Sequence, residues 1–146
     1  MNQRTSHLND LILNKEATIE SYARMIDDVD DPVLKDRLKS IQENHFKQMM
    51  VFSDRVYEIG GRPNFKIGLA GVIDDMRHHR NRKNDTTDLE NARIALNGER
   101  INIEKLSSYE LNELDGTSLE LLQMAANTNQ ENIKALEEYI QSFEIQ

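Results

Sequence analysis

The stretch LKDRLKSIQENHFKQMMVFSDRVYEI, residues 34–59, decides the fold. Its apolar positions Leu34, Leu38, Ile41, Met49, Phe52, Val56 and Ile59 keep the three-and-four spacing of one helix face. The one break in that face, between Ile41 and Met49, is filled by His45, and Gln42 sits on the same side a turn earlier. A histidine on the inner stripe of a long helix, with a polar side chain at i−3, is a ligand-like arrangement.

Working outward, the flanking segments read as helices with matching interruptions. A first helix over about 6–29 carries the seam Leu8, Ile12, Ile19, Tyr22, Ile26 and Val29, and the missing member of that series is Lys15. Ser6 is its expected N-cap. Asp30-Asp31-Pro32 ends this helix and opens the next over 32–59, with Asp31 as the cap and Pro32 in the first turn. So short a connection makes the two helices antiparallel neighbours. Gly60-Gly61 stops the second helix, with Pro63 behind it. A third helix over 86–113 opens on a Thr87/Glu90 capping box and has the stripe Leu89, Ala92, Leu96, Ile103, Leu106 and Leu114, with Glu99 inside it. After Asp115-Gly116, a Thr117/Glu120 capping box opens a fourth helix over 117–144. That helix carries Leu122, Ala125, Leu136, Ile140 and Phe143 on one face, with Asn129 and Asn132 at the two inner positions between Ala125 and Leu136. The crossover 60–85 contains a short amphipathic helix near 65–80 marked by Phe65, Leu69, Val72 or Ile73, and Met76. The expectation is a single all-α domain over 1–146, an up-down four-helix bundle with a long crossover between its second and third long helices.

Composition agrees. Two prolines, six glycines and 30% charged residues in 146 suit a helical domain large enough to bury a core. No run of about 18 apolar residues and no signal-like N-terminus occur, which leads to the expectation of a soluble, cytoplasmic protein without a membrane partner. With no cysteine, disulfides and thiolate metal sites are excluded. A net charge of −8 argues against general nucleic-acid binding.

The interruptions share one height. Folding the first two helices about residue 30 sets Lys15 against His45, and folding the last two about 114–115 sets Glu99 beside Asn129. Lys15, His45, Glu99 and Asn129 then form one layer, with Gln42 and Asn132 a turn away.

A ferritin-like di-iron bundle offers a Glu from each of two helices and a Glu-x-x-His pair from each of the other two. The slots here hold Lys15, Gln42-x-x-His45, Glu99 and Asn129-x-x-Asn132, and the whole chain resembles that superfamily. The segments Leu8-Asn9-Asp10-Leu11-Ile12, Ile19-Glu20-Ser21-Tyr22, Gly60-Gly61-Arg62-Pro63 and Gly98-Glu99 are similar to a family of small, largely uncharacterised bacterial four-helix-bundle proteins within it. The resemblance implies a small bacterial protein and leaves a stress-associated role open. The departures are substantial. Only His45 and Glu99 are ligand types, amides fill three slots, and Lys15 is a cation where a carboxylate belongs. Glu16, Glu20, Glu43 and Glu131 point away from the inner stripes.

Three readings follow. The favoured one is a degenerate site: Lys15, Gln42, His45, Glu99, Asn129 and Asn132 as a buried hydrogen-bond network without cofactor, in a structural or interaction protein. The second is iron or another divalent metal on His45 and Glu99, in a binding or oxidase-type protein. The third is an anion or partner patch on Arg77, Arg80, Arg82 and Lys83, the one concentration of positive charge, where the adjacent His78 and His79 diverge too far to share a metal. Met49, Met50, Leu11, Leu13 and Met25 widen the apolar faces of the first two helices, an excess to be covered by the crossover segment or by a partner, a second copy in a homodimer or another protein. No nucleophile–base triad or phosphate-cradling glycine loop is present, so the balance leans away from an enzyme.

Overall fold

A computed structural model describes residues 3–77, 87–109 and 114–144. Within them the chain forms helices α1 (Gln3–Asp28), α2 (Pro32–Glu58), α3 (Gly68–Arg77), α4 (Asp88–Ser107) and α5 (Gly116–Glu144). The described residues form no strand, and no described helix is long and apolar enough to cross a membrane. The basic run after Arg77, with His78, His79, Arg80, Arg82 and Lys83, lies outside the described residues, as does the Arg77 side chain.

The helix starts follow local chemistry at two of the four expected caps, and Ser6 is not one of them, because α1 already runs from Gln3. The Asp31 carboxylate accepts from the backbone N–H of Val33 at 3.0 Å, with Pro32 in the first turn. Thr87 Oγ1 accepts from the Glu90 N–H at 3.1 Å. At α5 the cap is Asp115 rather than Thr117: its carboxylate accepts from the Ser118 N–H at 2.8 Å. The same carboxylate is paired with the guanidinium of Arg55 on α2 at 3.0 Å, a partner distant in sequence that fixes the helix start two residues early. α4 closes at Ser107, short of the boundary near 113 that its stripe suggests. There the Ser108 hydroxyl donates to the Lys105 carbonyl at 2.6 Å, competing with continuation of the helix.

Pairings between helices give the chain directions. Lys15 meets His45 and Gln42 meets Ile19, so α1 and α2 are antiparallel. Tyr22 meets Glu99 and Asn91 meets Asp28, so α1 and α4 are antiparallel too. Arg37 reaches Ala135, Gln48 reaches Asn129 and Arg55 reaches Ser118, which makes α2 and α5 antiparallel. The long helices therefore run up, down, down, up, with α2 and α4 parallel. Parallel helices cannot be joined by a tight turn, and the crossover supplies the return, with α3 packed on α1.

The crossover is fastened by side chains of α1. Glu16 accepts from the N–H groups of Lys66 and Ile67 at 2.9 and 3.1 Å, and Asn9 bridges the Arg62 carbonyl and the Asn64 N–H. Gly60 takes φ +88°, a left-handed conformation that ends α2 without a Cβ clash.

The interior has two apolar halves. Tyr22, Ile26, Leu34, Leu38, Leu96 and Leu136 belong to one cluster, and Leu8, Ile12, Ile19, Met49, Phe52 and Leu122 to the other. On α2, α4 and α5 the residues His45, Glu99, Asn129 and Asn132 lie in the sequence gaps between the two clusters, and on α1 Lys15 lies inside the second, between Ile12 and Ile19.

Gly61 sits against Thr5, where an added Cβ would meet Thr5 Cγ2 at 2.5 Å. Gly61→Ala should therefore destabilise the protein by about 1–3 kcal/mol in chemical denaturation. Combining it with Thr5→Ala should recover most of that loss. Equal stability of Gly61→Ala and the parent protein would show that this end of the crossover is not tightly seated on α1.

Candidate functional site

Each inner polar residue arrives because its helix carries it at a seam position, and the surrounding apolar residues force that seam inward. Lys15 is 1% exposed, and His45, Glu99 and Asn129 are 0% exposed. Gln42 and Asn132 are buried as well.

Hydrogen-bond logic fixes the protons. Glu99 Oε2 lies 2.7 Å from His45 Nε2, and an ionised carboxylate can only accept, so Nε2 carries the hydrogen. In the neutral ring Nδ1 is then an acceptor, and Lys15 Nζ, a donor, stands 2.9 Å from it. The result is a directed chain from the Lys15 ammonium through the His45 imidazole to the Glu99 carboxylate. Glu99 is completed by the Tyr22 hydroxyl, which donates to Oε2 at 3.0 Å, and by the Asn132 amide, which donates to Oε1 at 2.7 Å. The Tyr22 ring also stacks beside His45, with ring centroids 5.6 Å apart.

The electrostatics follow from this order. Burial lowers the Lys15 pKa to about 8 even though the Glu99 charge works to hold it up. Burial and the neighbouring Lys15 charge keep His45 below its ordinary range, hence neutral. Burial opposes the Glu99 charge, yet hydrogen bonds from His45 and Asn132 and the Lys15 charge outweigh it and hold the carboxyl below the usual range. Burial and then the Glu99 charge push the Tyr22 hydroxyl well above its ordinary value. At neutral pH the cluster holds one cation and one anion.

Not every expected residue joins the chain. Asn129 accepts instead from Gln48 at 3.1 Å, and it is Asn132 that reaches Glu99. Gln42 donates to the Ile19 carbonyl and ties α2 to α1. Lys15 and Glu99 do not touch one another in a direct bond, because His45 stands between them. Sequence reasoning missed Tyr22 as a polar member, having read it as core. Its phenol needs a buried partner, and its seam position seven residues after Lys15 could have supplied the clue. It also missed Asn44, which donates to Asn132, and Gln48. Glu16, read as turned off the seam, is buried and holds the crossover.

The donor set does not fit a di-metal centre. Both ring nitrogens of His45 are engaged, one of them by an ammonium, and three of the remaining slots hold neutral amides. Among the described residues no group of three or more His, Asp or Glu converges to hold a metal. A small cavity of about 150 Å³ between α1 and α4 has Tyr22, Gly98 and Glu99 in its wall, but it adds no further ligand type.

A family model described as "Domain of unknown function (DUF2383)" matches residues 3–100, well over half of the chain. No curated protein and no solved structure gave a match.

The charged chain makes stability depend on pH in a calculable direction. Between about pH 8 and 10.5 the unfolded protein binds more protons at Lys15 than the folded one, so its contribution to stability rises with pH across that window. The lowered His45 and Glu99 values act with the same sign: stability falls as pH drops below 6.5 and falls further below 4.5. Thermal melts should show both limbs, and Lys15→Met should remove the alkaline rise. Lys15→Met alone should cost about 3–5 kcal/mol by leaving Glu99 uncompensated, and adding Glu99→Gln should recover much of it. Simple addition of the two losses would contradict the pairing.

Proposed function

The chain belongs to the DUF2383 family, and from that premise we propose that it is a ferritin-like bundle in which a sealed polar network stands where a di-metal site would be. It works as a structural or interaction protein in the cytoplasm, possessing no catalytic centre of its own. The observation that carries this reading is the contact of Lys15 Nζ with His45 Nδ1 at 2.9 Å. It places a positive charge on the one imidazole lone pair that a metal would need, and the other nitrogen is already committed to Glu99.

On this reading the working surface is the outside of the bundle. Ile94 and Ile101 lie one heptad apart on α4 and are 57% and 56% exposed. Such a ridge suits contact with a second copy of the chain or another protein.

Protein purified without chelator or affinity metal should carry no stoichiometric iron, manganese or zinc, and anaerobic ferrous iron should leave its melting temperature unchanged. His45→Ala should lower stability in metal-free buffer by about 1–3 kcal/mol, because Lys15 and Glu99 each lose a buried partner. Binding of about two metals per chain, abolished by Glu99→Ala, would overturn the reading in favour of an iron-binding or oxidase-type protein.

A further inference from the structure

If the outside of the bundle carries recognition, as proposed above, α4 shows which partner fits it. At about 100° per residue, Glu90, Ile94, Gly98, Ile101 and Lys105 share one stripe of this helix about 80° wide. Glu90, Ile94 and Ile101 are exposed, and Lys105 is half-buried. Arg100 marks another side of the helix, where it reaches Glu137 of α5 at 4.0 Å. Ile94 and Gly98 instead border the cavity of about 150 Å³ against α1. A Cβ added at Gly98 would meet nothing within 4 Å, so the space over the middle of the stripe is open.

The stripe is its own complement. Ile94 and Ile101 stand equally far from the junction of Asn97 and Gly98, and so do Glu90 and Lys105. A second copy of α4 laid antiparallel across that junction sets Ile94 on Ile101 and Glu90 against Lys105, each twice, as a twofold axis requires. On the flank, the exposed Arg93 comes within about two residues, roughly 3 Å, of the height of the exposed Glu104 in the other copy. Glu90, Arg93, Glu104 and Lys105 make this contact electrically neutral, in a chain whose net charge of −8 otherwise drives its copies apart. A parallel arrangement would set Glu90 on Glu90 and Lys105 on Lys105. Gly98, beside the axis, lets the two backbones approach closely.

We propose that this face of α4 binds a second copy of the chain in an antiparallel, twofold pair. The pair buries Ile94 and Ile101. It also covers the cavity in whose wall Tyr22 and Glu99 lie, so each copy closes the α1–α4 side of the other's polar network.

Sedimentation equilibrium of the full chain, from micromolar to millimolar concentration, tests the pair. A monomer–dimer equilibrium is expected. Ile101→Glu should weaken it about tenfold or more while helix content stays unchanged, because the position is exposed. Lys105→Glu, which sets a carboxylate against Glu90, should weaken it too. Direction is read with cysteines, which the chain lacks. Under mild oxidation, a mixture of Ile94→Cys and Ile101→Cys chains should cross-link faster than either variant alone. The proposal is overturned by a monomer across the whole range or by a dimer that Ile101→Glu or Lys105→Glu leaves intact. Cross-linking as fast within one variant as between the two would overturn it as well. Stoichiometric iron would overturn the sealed-network reading whatever the oligomer, whereas a monomer that binds no iron would overturn only the pair.

Discussion

One buried charge pair constrains this molecule. Lys15 and Glu99 sit on different helices away from water, and each is tolerable only because His45 links them and Tyr22 and Asn132 complete the carboxylate. An isolated ion in such a place would be neutralised or expelled. Four helices must therefore meet at one height with hydrogen-bond accuracy. A slip of one turn on any of them would leave a charge or an amide alone among apolar side chains. The direct His45–Glu99 bond also joins α2 to α4, which share no tight turn.

The rest of the architecture is arranged around that height. The apolar core is split into two clusters, one toward each end of the bundle, and the second of them flanks Lys15 with Ile12 and Ile19. Each end of the bundle has its own clamp. At one end the Asp88 carboxylate accepts from the Asp30 and Asp31 N–H groups, and the Tyr139 hydroxyl donates to Asp31. At the other, Arg55 of α2 bonds Ser118 and Asp115 at the start of α5. Glu16 holds the crossover against α1 close to the central layer, one residue along from Lys15. These clamps fix register from the ends, and the central chain fixes it from the middle.

The same arrangement explains why a metal is a poor occupant. Imidazole and carboxylate are good ligands when their lone pairs face an open position, and here those lone pairs face an ammonium, a phenol and an amide. The imidazole and the carboxylate are spent on bonds that hold the bundle in register.

Much of this was legible in the linear pattern. Helical periodicity with gaps at Lys15, His45, Glu99, Asn129 and Asn132 specifies long amphipathic helices and marks the residues that must go inside, because apolar neighbours at i±3 and i±4 leave them no alternative. Asp31-Pro32 and Thr87 are readable because capping is a contact between near neighbours. What only the tertiary structure decided involves partners distant in sequence. Asp115 caps α5 with Arg55 beside it, Glu16 turns to the crossover, Tyr22 brings its hydroxyl to Glu99, and His45 interposes between the two charges. The period of the sequence by itself marked the seam residues for burial, but not Glu16, which the crossover covers, and it set Phe143 on the inner face where the structure leaves it 41% exposed. Spacing about the turn near residue 30 set Lys15 against His45, but which of the other buried groups bond to one another was decided by the height and rotation of helices distant in sequence.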